Sequence, residues 1–482
     1  MRRHRPLLLV LVLLLTLGAA PAGAAALPLG AIGGLGVAPA GAVDEEEPEP
    51  GTWAWYQRDL DNTVRMTGRT RDQAAHVDYS RRIAVEGFAS SFANLADQAE
   101  HPDRPIVSLS QWVPSGINAD VYRKDWERLG RGIKVPVEYV NRYGARIQGE
   151  VWAPPSPHTD PVTGRTSTGP YPGVVITTGS VQGYKELYWW AAQGLAEAGY
   201  VVLTYDVQGQ GRSETFGHTE DGGIDCSLDG CPGVPFQQMA NFVEGTEDAL
   251  DWFLSDANPL RGLVDERRLG LAGHSLGAGA VTDVGNRDGR ISAVVAWDNA
   301  SLPADAAPRV PTMGQNAEAG FWPQAHPSAP DPDGRNATYR RFEEAGIPAM
   351  QVALQGSTHL EWTYVPYLLA ASSKGERVAM HYTLAWFDRW LKGEAHGRNG
   401  SEVRPAEVRA QADDARRRLT ATTFDGSADR SSIGTGRWDP ATTSNVPYRI
   451  EGDAVGDHLS FYYRSSYAFD GQRCDDLYAG CE

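Results

Sequence analysis

Short apolar segments alternate with helix-like segments through the middle of this chain, and few folds accommodate that order. The segments are mainly apolar, with no regular alternation of polar side chains, and lie at residues 173–178, 200–206, 269–275, 291–297, 310–313 and 349–354. Helix-like stretches lie near residues 186–198, 241–254 and 376–391. Strands of this kind are typical of a parallel sheet that is covered on both faces. The order therefore predicts an α/β fold with a mostly parallel sheet and helices on both faces.

An antiparallel hairpin precedes this alternation. Residues 133–140 and 145–152 alternate between apolar and polar side chains, and the turn-like residues 141–144 join them. With the hairpin included, the sheet is expected to contain about eight strands. Residues 207–238 and 299–345 interrupt the pattern after strand ends, so we predict that they form lids or pocket walls.

The N-terminus has the composition of a secretory leader. Basic residues within residues 1–5 precede an apolar run at residues 6–20, which is shorter than the roughly 20 residues that span a bilayer. We therefore predict a signal peptide at residues 1–26, a secreted protein and no stable membrane insertion. Residues 27–52 are rich in Ala, Gly, Pro and Glu and are predicted to be a disordered linker.

Four further parts are predicted after the linker. Residues 53–130 are expected to form an N-terminal helical extension, and residues 131–398 the α/β domain. Residues 399–423 are expected to be a linker or a helix. Residues 424–482, which are rich in Gly, Ser, Asp and Tyr, are expected to form a small β-rich C-terminal segment with a strand at residues 459–463.

The charge distribution disfavours two classes of partner. The formal net charge is −17, and no Lys/Arg-rich stripe occurs beyond the leader. Nucleic acids and anionic lipid surfaces require such a stripe, so neither is expected as a partner. The sequence does not predict the oligomeric state.

The four cysteines form two local pairs, Cys226 with Cys231 and Cys474 with Cys481. An exported protein can oxidise both pairs, and we predict two short-range disulfides that staple loops. A zinc site would require the two pairs to converge, and no histidine lies close to either. We therefore expect no metal and no cofactor.

One motif indicates a chemistry: Gly273-His274-Ser275-Leu276-Gly277 lies between an apolar strand and a helix-like run of small residues. In such a nucleophile elbow a strained turn lifts the serine hydroxyl clear of the sheet, and the outer glycines permit the tight turn. Ser275 is therefore the predicted nucleophile. In a chain with 53 glycines the motif also arises by chance, so its surroundings must decide.

A serine hydroxyl needs a base that a carboxylate orients. His359 directly follows the last apolar segment, where the base is expected when nucleophile, acid and base follow one another along the chain. Asp298 ends the segment after the nucleophile strand and is the favoured acid. Glu318, the only carboxylate in the loop after the next strand, is the alternative acid. His274 is interpreted as a spacer within the elbow.

Acyl transfer also requires hydrogen-bond donors for the developing oxyanion. The backbone N–H of Leu276, which follows the nucleophile, is one predicted donor. The backbone N–H of Ser180, in the turn after residues 173–178, is the other. Because both donors belong to the main chain, the side chain at position 180 is not expected to matter.

Residues 170–395 resemble the α/β-hydrolase superfamily, and within it the plasma-type platelet-activating factor acetylhydrolases and related secreted bacterial esterases. Three segments carry the resemblance: the elbow, residues 293–298 and residues 356–359. It implies an α/β-hydrolase fold in which Asp298 and His359 complete a triad with Ser275. Residues 316–318 are similar to a noncatalytic segment of that family. The usual His-Gly of the oxyanion turn is Thr178-Gly179 here, which is a departure from the pattern.

These features predict a secreted, metal-free serine hydrolase of the esterase or lipase type. Its expected partner is a small-molecule or lipid ester, including short-chain acyl esters, which it cleaves through an acyl-enzyme. A serine peptidase or amidase with the same triad is the alternative enzyme. A noncatalytic binding module built on a hydrolase fold is the alternative from a different class.

Overall fold

The computed structural model describes a large part of the chain. The described residues are 48–49, 51–61, 85, 89, 92, 93, 96, 100, 109–112, 126–180, 183–217, 238–298, 300–320, 330–363, 373–394, 405–424, 436–439, 444–447 and 450–481. The predicted signal peptide, most of the predicted linker, and the pair Cys226 and Cys231 lie outside the described residues. Residues 49–482 form one compact unit, and everything below concerns its described residues.

A ten-stranded sheet forms the centre of this unit. Its strands are β1 (Ile133–Val140), β2 (Arg146–Ala153), β3 (Tyr171–Thr177), β4 (Val201–Tyr205), β5 (Val264–His274), β6 (Ile291–Trp297), β7 (Thr312–Ala317), β8 (Ala349–Leu354), β9 (Ser466–Phe469) and β10 (Gln472–Cys474). Two further antiparallel ribbons, His158–Thr159 with Thr166–Ser167 and Gly436–Asp439 with Ser444–Pro447, lie outside it.

The strand order is β1-β2-β4-β3-β5-β6-β7-β8-β9-β10, and the strands from β4 to β8 along this order run parallel. Every residue of β3, β4 and β8 is buried, whereas β1, at the edge, has exposed and partly buried residues and one buried residue, Tyr139. Fully buried strands are what a parallel sheet covered on both faces requires. The α/β prediction is therefore confirmed, including the predicted hairpin, which is β1 with β2.

Helices cover both faces of the sheet. They are α1 (Trp189–Glu197), α2 (Met239–Phe253), α3 (Leu276–Arg287), α4 (Ala337–Glu344), α5 (Ser373–Phe387) and α6 (Pro405–Thr420). Side chains of α1 and α5 join one apolar core, which includes Ala272 of β5, and side chains of α2 and α3 join another, which includes Leu271. Successive strand residues thus face opposite cores, as the pleat of a strand dictates.

The sheet has two more strands than predicted because the C-terminal segment extends it. β9 pairs antiparallel with β8, β10 pairs with β9, and a disulfide joins Cys474 at the end of β10 to Cys481. The prediction of a strand at residues 459–463 is wrong. There the Ser460 hydroxyl oxygen accepts the N–H groups of Tyr462 and Tyr463 at 3.0 and 3.2 Å. This side-chain turn competes with strand pairing.

The N-terminal extension is helical at residues 53–61 and at Leu109–Trp112. Trp55 packs edge to face against Tyr462, with ring centroids 5.1 Å apart, so the first helix lies on the C-terminal segment. Among the residues described, no helix combines the length and the apolar character needed to cross a bilayer.

Candidate active site

Ser275 occupies a strained turn between β5, which ends at His274, and α3, which begins at Leu276. Its backbone angles are φ 57° and ψ −121°, a conformation that L-residues rarely adopt and that costs on the order of 1–3 kcal/mol. The Ser275 N–H donates to the Trp297 carbonyl at 3.0 Å, and the Ser275 carbonyl accepts from Gly279 N–H at 3.2 Å. The neighbouring strand and helix thus hold the strained residue in place.

The outer glycines of the motif are required by close backbone approach. A Cβ atom on Gly273 would lie 2.4 Å from the Gly277 carbonyl oxygen. A Cβ atom on Gly277 would lie 2.4 Å from the carbonyl oxygens of Thr177 and Thr178, at the end of β3. Neither backbone can move aside cheaply, so the turn closes only when both positions lack a side chain.

The three residues predicted as nucleophile, base and acid lie in one hydrogen-bonded line. His359 Nε2 lies 2.9 Å from Ser275 Oγ. His359 Nδ1 forms a hydrogen bond with Asp298 Oδ2. Ser275, Asp298 and His359 follow β5, β6 and β8, and the carboxyl ends of parallel strands meet at the same edge of a sheet.

Asp298 is fixed by its backbone and by a second hydrogen bond. Its φ is 49°, its N–H donates to the Gln315 carbonyl at 2.6 Å, and its Oδ1 accepts from Ala317 N–H at 2.9 Å. Burial alone raises the pKa of Asp298, but the hydrogen bond and charge of His359 and the Ala317 N–H together bring that pKa below its ordinary value. An ionised carboxylate in this place orients the imidazole and stabilises a positive charge on it.

Glu318, the alternative acid, holds the turn that carries His359. It is buried; its Oε2 accepts from Gly356 N–H at 2.7 Å and its Oε1 accepts from the Ser460 hydroxyl at 2.6 Å. The Ala319 N–H also donates to the Ser357 carbonyl at 3.0 Å, and the His359 N–H to the Gly320 carbonyl at 2.9 Å. These contacts join the loop after β7 to the turn after β8.

The residues that carry the predicted oxyanion donors are Leu276, which follows Ser275 in the chain, and Ser180, in the turn after β3. Leu276 is the first residue of α3, so its N–H has no acceptor within the helix, and the helix N-terminus favours negative charge. Ser180 follows Gly179, in the turn after β3. A Cβ atom on Gly179 would lie 3.3 Å from Ser275 Cβ, so this turn lies directly beside the nucleophile.

Sequence reasoning missed two residues at this site, His274 and Tyr188. The interpretation of His274 as a spacer overlooked its ring, which is buried and contacts residues on both sides. His274 Nδ1 lies 2.9 Å from the Tyr188 hydroxyl, and His274 Nε2 lies 2.8 Å from the His359 carbonyl oxygen. In the sequence, the position of His274 immediately before Ser275 could have indicated a role for it. No feature of the sequence indicated Tyr188.

Lys185, Glu186 and Asp206 form a buried ionic cluster. Lys185 Nζ is 3.1 Å from Glu186 Oε1 and 3.2 Å from Asp206 Oδ2, and the Lys185 N–H donates to Asp206 Oδ1 at 2.7 Å. Glu150 on β2 is also buried and accepts from Trp189 Nε1 at 2.6 Å. Burial and the charge of Glu186 raise the pKa of Glu150 to about 7, against the opposing charges of Lys185 and Lys134.

Replacing Glu150 with glutamine is expected to flatten the dependence of stability on pH. A carboxyl whose pKa is higher in the folded protein contributes stability below its unfolded pKa and loses that contribution as pH rises through about 7. As pH rises from 5 to 8, the free energy of unfolding of Glu150→Gln should therefore increase by about 1–3 kcal/mol relative to that of wild type. Urea denaturation measures both values. Glu138→Gln, an exposed change on the same hairpin, is the control. If the free energies of unfolding of wild type and Glu150→Gln change in parallel with pH, the raised pKa of Glu150 is wrong.

Among the described residues, no group of three or more His, Cys, Asp or Glu side chains is arranged to hold a metal ion.

Comparison with known proteins gives one informative likeness. No family model matches the chain. The chain is 28% identical over 275 residues to a protein described as hydrolase LUC6 from Fusarium sp.. The match covers 56% of this chain and 57% of that protein, so the chain spans little more than half the length of this relative.

Proposed function

We propose that this protein is a serine hydrolase that cleaves carboxylic esters through an acyl-enzyme. The observation that supports this most is the hydrogen-bonded line of Ser275, His359 and Asp298, with the serine in a strained turn at the end of β5. The likeness to a protein described as a hydrolase supports hydrolysis in general. That the substrate is a carboxylic ester is a narrower proposal. It rests on the resemblance carried by residues 273–277, 293–298 and 356–359.

In the first half-reaction Ser275 Oγ attacks the ester carbonyl carbon while His359 Nε2 takes the hydroxyl proton. The carbonyl oxygen becomes an oxyanion, and the N–H groups of Leu276 and Ser180 stabilise it. Asp298 holds the proton on His359 Nδ1 and stabilises the imidazolium that forms. His359 then donates its Nε2 proton to the departing alcohol oxygen, the bond to the alcohol breaks, and the acyl group remains on Ser275.

In the second half-reaction water replaces the alcohol. His359 Nε2 takes a proton from the water, whose oxygen attacks the acyl carbon, and the same two N–H groups stabilise the second oxyanion. The bond to Ser275 Oγ breaks, the serine recovers its proton from His359, and the carboxylic acid leaves. The net reaction consumes one water and requires no group beyond these side chains and N–H donors.

A substrate panel tests the proposed reaction class. Purified protein should hydrolyse p-nitrophenyl esters, graded from acetyl to long-chain acyl groups, and should turn over peptide p-nitroanilides far more slowly. Faster turnover of the anilides would replace the esterase proposal with a peptidase or amidase. No turnover of either series, together with no reaction at Ser275 with a fluorophosphonate, would favour a noncatalytic binding module.

We also propose that the protein is exported. The leader-like composition of residues 1–26 supports this, and the Cys474–Cys481 disulfide fits an oxidising compartment. Expression of the full chain with analysis of medium and cells should recover the protein outside the cells, with a new N-terminus near residue 27. Retention of the uncleaved chain in the cells would contradict export.

A further inference from the structure

The side chain of His274 connects the nucleophile turn to the backbone of the proposed base. A carbonyl oxygen can only accept a hydrogen bond, so the contact between His274 Nε2 and the His359 carbonyl, at 2.8 Å, places a proton on Nε2. The His359 N–H donates to the Gly320 carbonyl at 2.9 Å. Both backbone polar groups of His359 are thus held from outside its own turn.

The other ring nitrogen of His274 faces Tyr188. Burial, followed by the charge of His359, lowers the pKa of His274 to about 3, so the ring is neutral and Nδ1 is an acceptor. Burial raises the pKa of Tyr188, which therefore keeps its proton and donates it to His274 Nδ1 at 2.9 Å. The Tyr188 oxygen in turn accepts from Gly179 N–H at 2.9 Å.

In this series of hydrogen bonds each donor has one acceptor, so the direction of each bond is determined. The chain runs from Gly179 N–H to the Tyr188 hydroxyl and on to His274, and from His274 to the His359 carbonyl. These bonds join the turn after β3, the last residue of β5 and the turn after β8, although β6 and β7 separate β5 from β8 in the sheet. The fit is close, because a Cβ atom on Gly179 would lie 2.8 Å from His274 Nδ1 and 3.1 Å from the Tyr188 hydroxyl.

We propose that His274 and Tyr188 are positioning residues, which set the base His359 and the oxyanion turn at Gly179 and Ser180 relative to Ser275. The inference rests on the proposed serine hydrolase function. Neither side chain touches the reacting atoms. His274 acts through the backbone of His359 and through Ser275, its neighbour in the chain, and Tyr188 acts through the peptide of Gly179, which precedes the proposed donor Ser180.

The His274 ring must be neutral to position His359 without disturbing it. Its ring centroid lies 4.8 Å from that of His359, which becomes positively charged during each half-reaction. A second positive charge at that distance would oppose the formation of the imidazolium. The buried, singly protonated ring supplies a donor and an acceptor without adding a charge beside the base.

Tyr188→Phe tests the inference, because it removes one hydroxyl and keeps the ring that stacks on Trp297. His274 Nδ1 and Gly179 N–H lose their partner, and the turns they hold should shift. We expect kcat for a p-nitrophenyl ester to fall roughly 10- to 100-fold, with KM within about threefold of wild type. The rate of Ser275 modification by a fluorophosphonate should fall in parallel. A structural role alone would lower stability and leave kcat of the folded enzyme unchanged.

His274→Gln and the double variant provide the second test. The glutamine amide can still donate towards the His359 carbonyl, but its oxygen does not take the place of the ring nitrogen Nδ1, which accepts from Tyr188. If the chain acts as a unit, Tyr188→Phe adds little to the loss of kcat in His274→Gln, so the two effects are less than additive. If Tyr188→Phe does not fold, His274→Gln alone must show the fall in kcat at near-constant KM.

Tyr200→Phe is the matched control. Tyr200 is fully buried and donates to Asp388 Oδ1 at 2.8 Å, so the change removes a comparable buried hydroxyl elsewhere. It should lower the melting temperature without lowering kcat. The inference is overturned if Tyr188→Phe retains kcat within twofold of wild type, if its loss only matches that of Tyr200→Phe, or if the effects of Tyr188→Phe and His274→Gln are additive. Failure of the proposed function is distinct, since wild type would then show neither ester turnover nor fluorophosphonate labelling.

Discussion

Ser275→Ala is expected to lower kcat for ester hydrolysis by roughly 10⁵- to 10⁶-fold, the largest effect of any single substitution in this chain. The change removes the hydroxyl oxygen that lies 2.9 Å from His359 Nε2, and with it the atom that would carry the acyl group. Water attack assisted by the oxyanion donors would account for the residual rate. The measurement is kcat for a p-nitrophenyl ester, with circular dichroism to show that the variant is folded.

Ser255→Ala is the control for this substitution. Ser255 follows α2, and its hydroxyl donates to the Trp252 carbonyl at 2.8 Å. Its loss removes a serine hydroxyl away from the elbow, and kcat should stay near the wild-type value. A folded Ser275→Ala protein with more than about one-tenth of wild-type kcat would contradict a covalent role for this residue.

Asp298→Asn is expected to lower kcat by about 10⁴-fold. An asparagine can present an N–H to His359 Nδ1, which favours the tautomer whose Nε2 carries the proton and cannot accept one from Ser275. The hydrogen bond from Ala317 N–H can persist, so the variant should fold. Steady-state kinetics with the same ester and a thermal melt measure the two effects separately.

Glu318→Gln separates the two candidate acids. Glutamine keeps an oxygen for the Gly356 N–H, and its amide can contact the Ser460 hydroxyl, so we expect kcat within about tenfold of wild type. The stability of the turn before His359 should decrease modestly. Near-wild-type turnover of Asp298→Asn together with collapse of Glu318→Gln would transfer the role of the acid to Glu318.

The alternation of buried strands with helices made the α/β class predictable from sequence. Most residues of β3 and β8 are apolar on both sides of the strand, and a sheet covered on both faces buries them all. The same order also predicted that Ser275, Asp298 and His359 would meet, because parallel strands end at a shared edge. Local pattern and position along the chain were sufficient for these statements.

The remaining features depend on contacts between distant residues. β9 has four residues, and its pairing with β8 is decided by the free edge of a strand more than 100 residues earlier. Strand preference of this kind depends on the neighbour more than on intrinsic propensity. The contacts of His274 were hidden for the same reason, since its partners Tyr188 and His359 lie 86 and 85 residues away. The lids expected at residues 207–238 and 299–345 fall partly outside the described residues and remain predictions.

The most direct test of the account is mass spectrometry of the intact protein after reaction with a fluorophosphonate. We predict a single adduct per chain, mapped by peptide sequencing to Ser275, and loss of ester hydrolysis in proportion to the labelled fraction. The Ser275→Ala protein should take up no label. Hydrolysis that persists when Ser275 is fully modified, or is lost while Ser275 stays unmodified, would contradict the proposed acyl-enzyme.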